Sequence, residues 1–385
     1  MAARKKNTWR VRGLDLRCSD DCLRRLLSED DQGCADCTVH SLATEHHGHS
    51  QTATVSFTNG EATVAESLPP CTNHTGQYGS PALDDEFLGF TTLFAPPPED
   101  HKIDIVAISG LGGHAFGSFK ECGGEHMWLR DALPRHIVNQ ETGRPMARVL
   151  IYGYLSRVAA SKSMQNVDDI AGPFREQLSG LTPPGAVARP VVFISHSLGG
   201  LVLKEAIISL AASSDADAER VRRTIYGLVF FGVPHAGMDN ASLMTMAGKG
   251  PNRELVLSIG QTNSQFLTRQ QRHFPGALET MGPQRREVFC FYETLESPTA
   301  VKTDGRWTMT GLSSILVSVT SATQCLLDTP DKQNHTCAID RTHSEIVKFA
   351  AQDPWYDVVL QRLLRISRRA INESTAAAYH STRSS

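Results

Sequence analysis

The chain has 385 residues, enough for two or three domains at roughly 100–200 residues each. Hydrophobic residues make up 40% and charged residues 21%, which excludes a chain disordered throughout. Lys and Arg number 38 against 41 Asp and Glu, and a net charge of −3 argues against nucleic-acid binding by bulk positive charge.

The N-terminus, MAARKKNTWRVRG, is basic but leads into no apolar stretch, so it does not read as a secretory signal. No apolar run approaches the ~18–20 residues that span a bilayer. An intracellular, by default cytoplasmic, chain is expected. Its nine cysteines then read as reduced thiols. Cys18, Cys22, Cys34 and Cys37 loosely resemble a four-thiolate zinc site, but the first spacing is unusual. No metal or cofactor is expected.

Residues 1–60 are expected to form a small α+β unit. TWRVRGL reads as a strand, DDCLRRLLSE as a helix capped by Ser19 or Asp20, and CTVHSLA and TATVSFT as two further strands. The β-α-β-β order suggests a ferredoxin-like sheet, the arrangement of RNA-recognition modules. The third strand offers Val55 and Phe57 without a basic-aromatic signature, which favours docking or capping over RNA binding. Residues 61–84, rich in Gly, Pro, Ser, Thr and Asn, read as a linker.

From residue 85 to 370 a second pattern holds. FLGFTTLF supplies a strand that stops at Pro96–Pro98. IDIVAI, ARVLIYGY, PVVFIS, TIYGLVFFG and REVFCFY are near-continuous apolar runs, as in parallel strands buried on both faces. MWLRDALPRHI, NVDDIAGPFREQLSGL and LGGLVLKEAIISLAA are the helices between them. This alternation predicts a doubly wound, mostly parallel α/β sheet. The segments 237–285 and 297–338 read as long polar loops, plausible lids. Trp307, Met238, Met244 and Met246 within them are candidates for an acyl tunnel, though ordinary packing explains methionines as well. A last helix starts with Asp353 as cap and Pro354 at its first position. Trp355, Val359 and Leu363 mark its apolar side and Arg362, Arg365 and Arg369 a basic side, which reads as the last helix of the domain packed on the sheet with a solvated face in preference to peripheral contact with an anionic membrane. Residues 371–385 read as a disordered tail.

The chemistry centres on PVVFISHSLGGLVLKEA. A buried strand runs into Ser195-His196-Ser197-Leu198-Gly199-Gly200 and straight on into a buried helix. Such an elbow holds a nucleophile, here Ser197, in a strained conformation above the carboxyl ends of the strands. Ser195 occupies a position where the usual pattern has glycine. The glycine-rich ISGLGGH follows the strand IDIVAI and can offer backbone N–H groups to an oxyanion. Leu198 is one expected donor, and Leu111 or Gly112 the other. His114 is a candidate for shaping that loop. The spacing does not match a phosphate-binding loop.

A hydrolase elbow requires the chain order serine, acid, histidine. His343, in IDRTHSEIVKF, fits as the base, with His335 second. His196 neighbours the nucleophile on a tight turn and is a poor base. His235 precedes the expected acid but is a candidate for lining the pocket. The acid should follow REVFCFY. Glu293 is favoured as the first residue past it, with Glu296 and Asp340 as the other candidates.

ISGLGGHAFGSF, MWLRD, FISHSLGGLVLKEAI, VFFGVPHAG, FYETLES and THSEIVKF together resemble a serine esterase family of α/β-hydrolases with a lipase-like domain. Within it they are most similar to the serine-active-site-containing group and its filamentous-fungal members. The resemblance covers roughly residues 85–370. It implies Ser197 as nucleophile, His343 as base and Glu293 as acid. It also implies ester or lipid substrates, with mitochondrial or endoplasmic-reticulum association in some members. Those fungal members often carry nucleotide-binding or repeat segments after the domain, so a stand-alone or shortened form is expected. The rival expectation is a catalytically silent recognition or signalling module of the same fold.

Overall fold

The computed structural model describes residues 8–28, 37–57, 80–183, 185, 188–261, 264–281, 287–303, 305–326 and 331–383. The first three elements are β1 (Thr8–Leu14), α1 (Asp20–Ser28) and β2 (Cys37–Thr44). Next come β3 (Gln51–Phe57), β4 (Ala82–Asp84) and β5 (Gly89–Phe94). The sheet order β2-β3-β1-β4, antiparallel throughout, is the ferredoxin-like order that the β-α-β-β pattern suggests. Ser19 caps α1 by accepting the Cys22 N–H at 3.3 Å. Val11, Leu23, Val55 and Phe57 form the core of this unit. Cys18 and Cys37 pack in that core, and Cys34 lies outside the described residues. Ala82–Asp84, inside the expected linker, is a strand paired with β1, so the chain is already structured there. Arg10 ties the unit to the next segment. Its guanidinium pairs with Asp84 at 2.8 Å and donates to the Leu88 carbonyl and to Thr91 Oγ1.

The second sheet begins with β5 and continues with β6 (Ile103–Ile108), β7 (Ala147–Gly153), β8 (Val191–His196), β9 (Ile225–Phe231), β10 (Glu287–Glu293) and β13 (Thr336–Ile339). Its order is β13-β10-β9-β8-β6-β7-β5, and every pairing is parallel except the antiparallel edge strand β5 on β7. All residues of β6, β7, β8 and β9 are buried, which is why their sequences read as continuous apolar runs.

One face is covered by α4 (Val167–Ser179), α5 (Leu198–Ala212), α6 (Ala216–Thr224) and α9 (Gln265–Glu279). The other carries α2 (Trp128–Asp131), α3 (Leu133–His136) and α11 (Pro354–Arg383). Trp128 anchors that second core and donates its indole N–H to the Val347 carbonyl at 2.9 Å. The sheet is thus doubly wound, as the alternation of runs requires.

Three expectations change. MWLRDALPRHI is two short helices, because Pro134 has no N–H to continue the first. Residues 237–285 are not an open loop but hold α7 (Ala241–Ala247), α8 (Arg253–Ser258) and α9. Residues 297–338 hold the hairpin β11 (Ser297–Thr303) and β12 (Arg306–Ser314), then α10 (Val319–Thr323) and β13. The final helix continues to Arg383, through the expected tail. Asp353 does cap it, accepting the Trp355 N–H at 3.0 Å. Its basic side is partly spent inside the fold. Arg362 donates to Glu287 at 3.0 Å over the Phe289 ring, and Arg369 pairs with Glu373 within the helix. Arg365 is exposed. Among the described residues no helix is long and apolar enough to cross a membrane.

Candidate active site

The end of β8 and the start of α5 meet at Ser197, whose φ of 50° and ψ of −126° lie in a region that non-glycine residues rarely occupy. Contacts across the turn hold this strain. The Ser197 N–H donates to the Phe231 carbonyl at 3.0 Å. A Cβ on Gly199 would sit 2.4 Å from the Ser109 carbonyl oxygen, and one on Gly200 would sit 2.3 Å from Val233. Those two glycines therefore let the helix start directly against β6 and the loop after β9. Ser195 fits in the strand, but among the described residues its buried hydroxyl finds no hydrogen-bond partner.

His343 lies in the loop after β13, the strand that pairs with β10 in the register Glu293↔Ile339. That pairing brings three side chains into a line. With His343 neutral, its Nδ1–H donates to Glu293 Oε2 at 2.6 Å, and its Nε2 accepts the Ser197 hydroxyl at 2.9 Å. Glu293 is only 1% exposed, and its other oxygen accepts the Val317 N–H at 2.9 Å. The His343 N–H donates to Ser297 Oγ at 2.9 Å, which fixes the loop from its other side. A parallel sheet whose central strand ends in a strained serine, with acid and histidine following in that order, decides the architecture. The fold is that of an α/β-hydrolase.

In this hydrolase fold the loop after β6 faces the serine. Gly110 lies so close that a Cβ on it would come 2.8 Å from Ser197 Cβ. The Gly112 N–H is taken by the Ser156 carbonyl at 2.7 Å, which leaves Leu111 as the free donor of the two candidates. Among the described residues no acceptor holds the N–H of Leu111 or of Leu198. Tyr154 and Ser156 brace the loop by donating their hydroxyls to the carbonyls of Ser109 and Gly113 at 2.8 and 3.0 Å. His114 braces it too, accepting the Gly117 N–H at 3.0 Å and donating to the Asp85 carbonyl. A cleft of about 1210 Å³ opens over Ser197 and His343, walled by this loop, Lys120 to Glu125 and Lys348.

The other candidates lie elsewhere. Glu296 is exposed, and Asp340 accepts the Thr294 hydroxyl at 2.8 Å. His335 is held at the Val288 carbonyl. His235 does not line the cleft; it is fully buried beside Phe230 and Lys204. Met238 belongs to the main core, and Met244 and Met246 pack with Val256 and Val158, so none of them walls the cleft. Trp307 sits on the β12 hairpin strand.

Four contributors left little trace in the sequence. His196 is not a base: its Nε2–H donates to the His343 carbonyl at 2.8 Å. Burial first, and His343 beside it, push its pKa down to about 3, so it stays neutral. The others are Val317, Ser297 and Gly232. Gly232 has φ +52°, and a Cβ there would come 3.0 Å from both Glu293 Oε2 and His343 Nδ1. Gly232 offered the one readable signal, as a glycine straight after a buried strand. Among the described residues, one group of three side chains has ligand atoms close enough for a metal: His235, Cys290 and Cys325, none of which lines the cleft.

No protein-family model matches the chain. Among curated proteins it is similar to Protein SERAC1 of Homo sapiens, 28% identical over 148 residues, covering 35% of this chain and 22% of that protein. The Danio rerio SERAC1 is 27% identical over 150 residues with the same coverage. The chain therefore spans about a fifth of the length of these relatives (22%). Among solved structures it is similar to the mature lipase BlEst2 of Bacillus licheniformis, at 14% identity and a TM-score of 0.41 over 71% of this chain and 97% of that one. It is also similar to YbtT, a type II thioesterase of yersiniabactin biosynthesis, at 14% identity and a TM-score of 0.38 over 73% and 99%. Esterase B of Lactobacillus rhamnosis matches at 12% and 0.37 over 73% and 81%.

Proposed function

We propose that the chain is a serine hydrolase that cleaves carboxylic esters or thioesters. The observation that carries this reading is the hydrogen-bonded line Ser197–His343–Glu293 at a strained elbow open to a cleft. Ser197 Oγ attacks the acyl carbon while His343 Nε2 takes its proton. The imidazolium formed is stabilised by Glu293, which accepts Nδ1–H and keeps the ring in the required tautomer. Charge on the former carbonyl oxygen is met by the N–H groups of Leu198 and Leu111. His343 then returns the proton to the leaving alcohol or thiol. Water, activated by the same imidazole, adds to the acyl-enzyme, and its collapse releases the acid and restores Ser197.

Among the described residues the N-terminal unit (residues 1–60) contributes Thr8 to the wall of the cleft and no group to the proton transfers, and the reaction asks for no metal or organic cofactor. The test is labelling with a fluorophosphonate, which phosphonylates an activated serine. The parent chain is expected to label. Ser197→Ala and His343→Ala are expected to lose labelling, with turnover of an ester or acyl-thioester panel falling on the order of a million-fold, because such residues act as a unit. A folded parent that does not label overturns the reading and leaves a recognition module.

A further inference from the structure

Lys204 of α5 is 1% exposed and, among the described residues, has no carboxylate partner. Its neighbour Glu205 is engaged by Gln270 and Arg269. A buried ammonium with no counter-ion is costly. Lys204 Nζ lies 3.4 Å from Nδ1 of His235, itself 0% exposed, and 4.9 Å from the Phe274 ring centroid. Among the described residues His235 Nε2 is buried with no hydrogen-bond partner. Beside the imidazole lie two sulfurs, Cys290 on β10 and Cys325 just past α10. A ring nitrogen of His235 and both sulfurs lie within 4.8 Å of one another, and the two sulfurs are 3.5 Å apart. With Lys204 donating to Nδ1, the His235 proton sits on Nε2, the nitrogen left without an oxygen or nitrogen acceptor. A thiolate in this cluster supplies both the missing acceptor and the missing counter-ion.

We propose that Cys325 is that thiolate and that it forms, with Cys290, a redox-active pair which hydrogen peroxide closes to a disulfide. Burial by itself would raise the Cys325 thiol, but the Cys290 S–H, His235 and Lys204 outweigh it and hold it well below the ordinary value. Burial first, and Cys325 next, raise Cys290, which stays a thiol; Lys204 and then Lys332 act on it in the opposite sense. Lys204 is drawn down to about 8 by burial and supported by the two cysteines and Glu205, so it is still charged at neutral pH. The Cys325 thiolate attacks one peroxide oxygen, the O–O bond breaks, hydroxide leaves and a sulfenic acid forms. Cys290 sulfur then attacks that sulfur. The S–S bond forms, the S–O bond breaks, and the hydroxide lost takes up the Cys290 proton as water. The thiolate and the thiol together give up two electrons, and one peroxide is reduced to one hydroxide and one water.

A disulfide needs an S–S distance of about 2.05 Å, so the sulfurs must close by about 1.5 Å. Two sulfurs and an imidazole would also suit zinc. Here the ammonium of Lys204 sits against the same imidazole, which repels a cation and favours a thiolate. The bond would have a consequence for the cleft. Cys290 is three residues before Glu293 on β10, and Cys325 ends the segment that begins at Val317, whose N–H holds Glu293. Oxidation would join the two supports of that carboxylate.

The test uses the full chain. After peroxide treatment, alkylation of remaining thiols and digestion, mass spectrometry should find a Cys290–Cys325 linked peptide that dithiothreitol reverses. On the reduced chain, iodoacetamide should alkylate Cys325 at a rate that rises less than about threefold from pH 6 to 8, where an ordinary thiol rises on the order of 50- to 100-fold. Lys204→Met should steepen the Cys325 profile at least about tenfold; the peptide mapping on the parent chain does not depend on that variant folding. An ordinary pH profile at Cys325 overturns the proposal. So does peroxide oxidation of the exposed Cys122 with no Cys290–Cys325 link. Stoichiometric zinc by plasma emission, with both thiols reacting only after chelation, overturns it in favour of a metal site.

Discussion

His196 carries a pH dependence whose size follows from its surroundings. Its ring is buried, and its Nε2–H is committed to the His343 carbonyl. The fold therefore holds it neutral, with a pKa near 3 against an unfolded value of 6.5. Between those values the unfolded chain binds a proton there and the native chain does not, so stability rises with pH and falls as the solution is acidified. At pH 5 the solution lies about 1.5 pH units below the unfolded value, and at about 1.4 kcal/mol per unit the loss relative to pH 7 is about 2 kcal/mol. Because His196 stays neutral in the native state across this window, the figure depends on the unfolded value alone. Other histidines, including the half-buried His46, drawn down to about 4, titrate in the same range, so the comparison must be with a variant. His196→Gln keeps an N–H donor for the His343 carbonyl and removes the titration. Urea unfolding followed by tryptophan fluorescence at pH 7 and pH 5 should show the parent losing about 2 kcal/mol more than the variant. Parallel losses in the two proteins would refute the assignment of a buried neutral imidazole at 196.

Three further outcomes are expected. Glu293→Gln should lower the rate of fluorophosphonate labelling on the order of 10⁴-fold, by analogy with loss of the orienting acid in other serine hydrolases, whereas Glu296→Gln should stay within about twofold; equal effects would return the acid to the Glu296 side. Gly232→Ala should cost about 1–2 kcal/mol for the left-handed backbone and slow labelling roughly tenfold by crowding the 2.6 Å Glu293–His343 bond. A lowered melt with unchanged labelling would show that Gly232 spaces nothing. Asp104, fully buried, would be raised by burial, but Arg148 and His101 hold it at about 2. Its contribution, about 2 kcal/mol, is present above pH 4 and lost as pH falls toward 2. Asp104→Asn leaves the Arg148 charge unpaired and should cost about 3 kcal/mol in urea unfolding at pH 7; a loss below about 1 kcal/mol would mean water reaches the pair.

The elbow was legible because its requirements are local. A buried strand, a serine, two glycines and a helix start are consecutive residues, and each narrows what the next can be. The chain order of acid and histidine was legible for a related reason: a parallel sheet places successive strand ends on one side, so residues just past them share a rim. The continuous apolar runs announced burial on both faces, and the antiparallel N-terminal unit announced itself by strand order.

The choice between Glu293 and Glu296 was different. Both follow β10 closely, and only the register of β13 on that strand points one of them at His343 and leaves the other in solvent. The Val317 N–H is supplied by backbone 24 residues away, and any amide would serve there, so no side chain marks it. Gly112 and Leu111 were both candidate oxyanion donors, and Ser156, from another segment, takes the Gly112 N–H. His196 looked redundant beside the nucleophile, yet it anchors a carbonyl 147 residues away. The cluster of Lys204, His235, Cys290 and Cys325 draws on four segments and is visible in none. Consecutive residues by themselves determined where the strained Ser197 stands, because strain and close packing are enforced within a turn. Tertiary structure decided which carboxylate, which amides and which thiols face one another, because those distances are set by how strands pair across the chain.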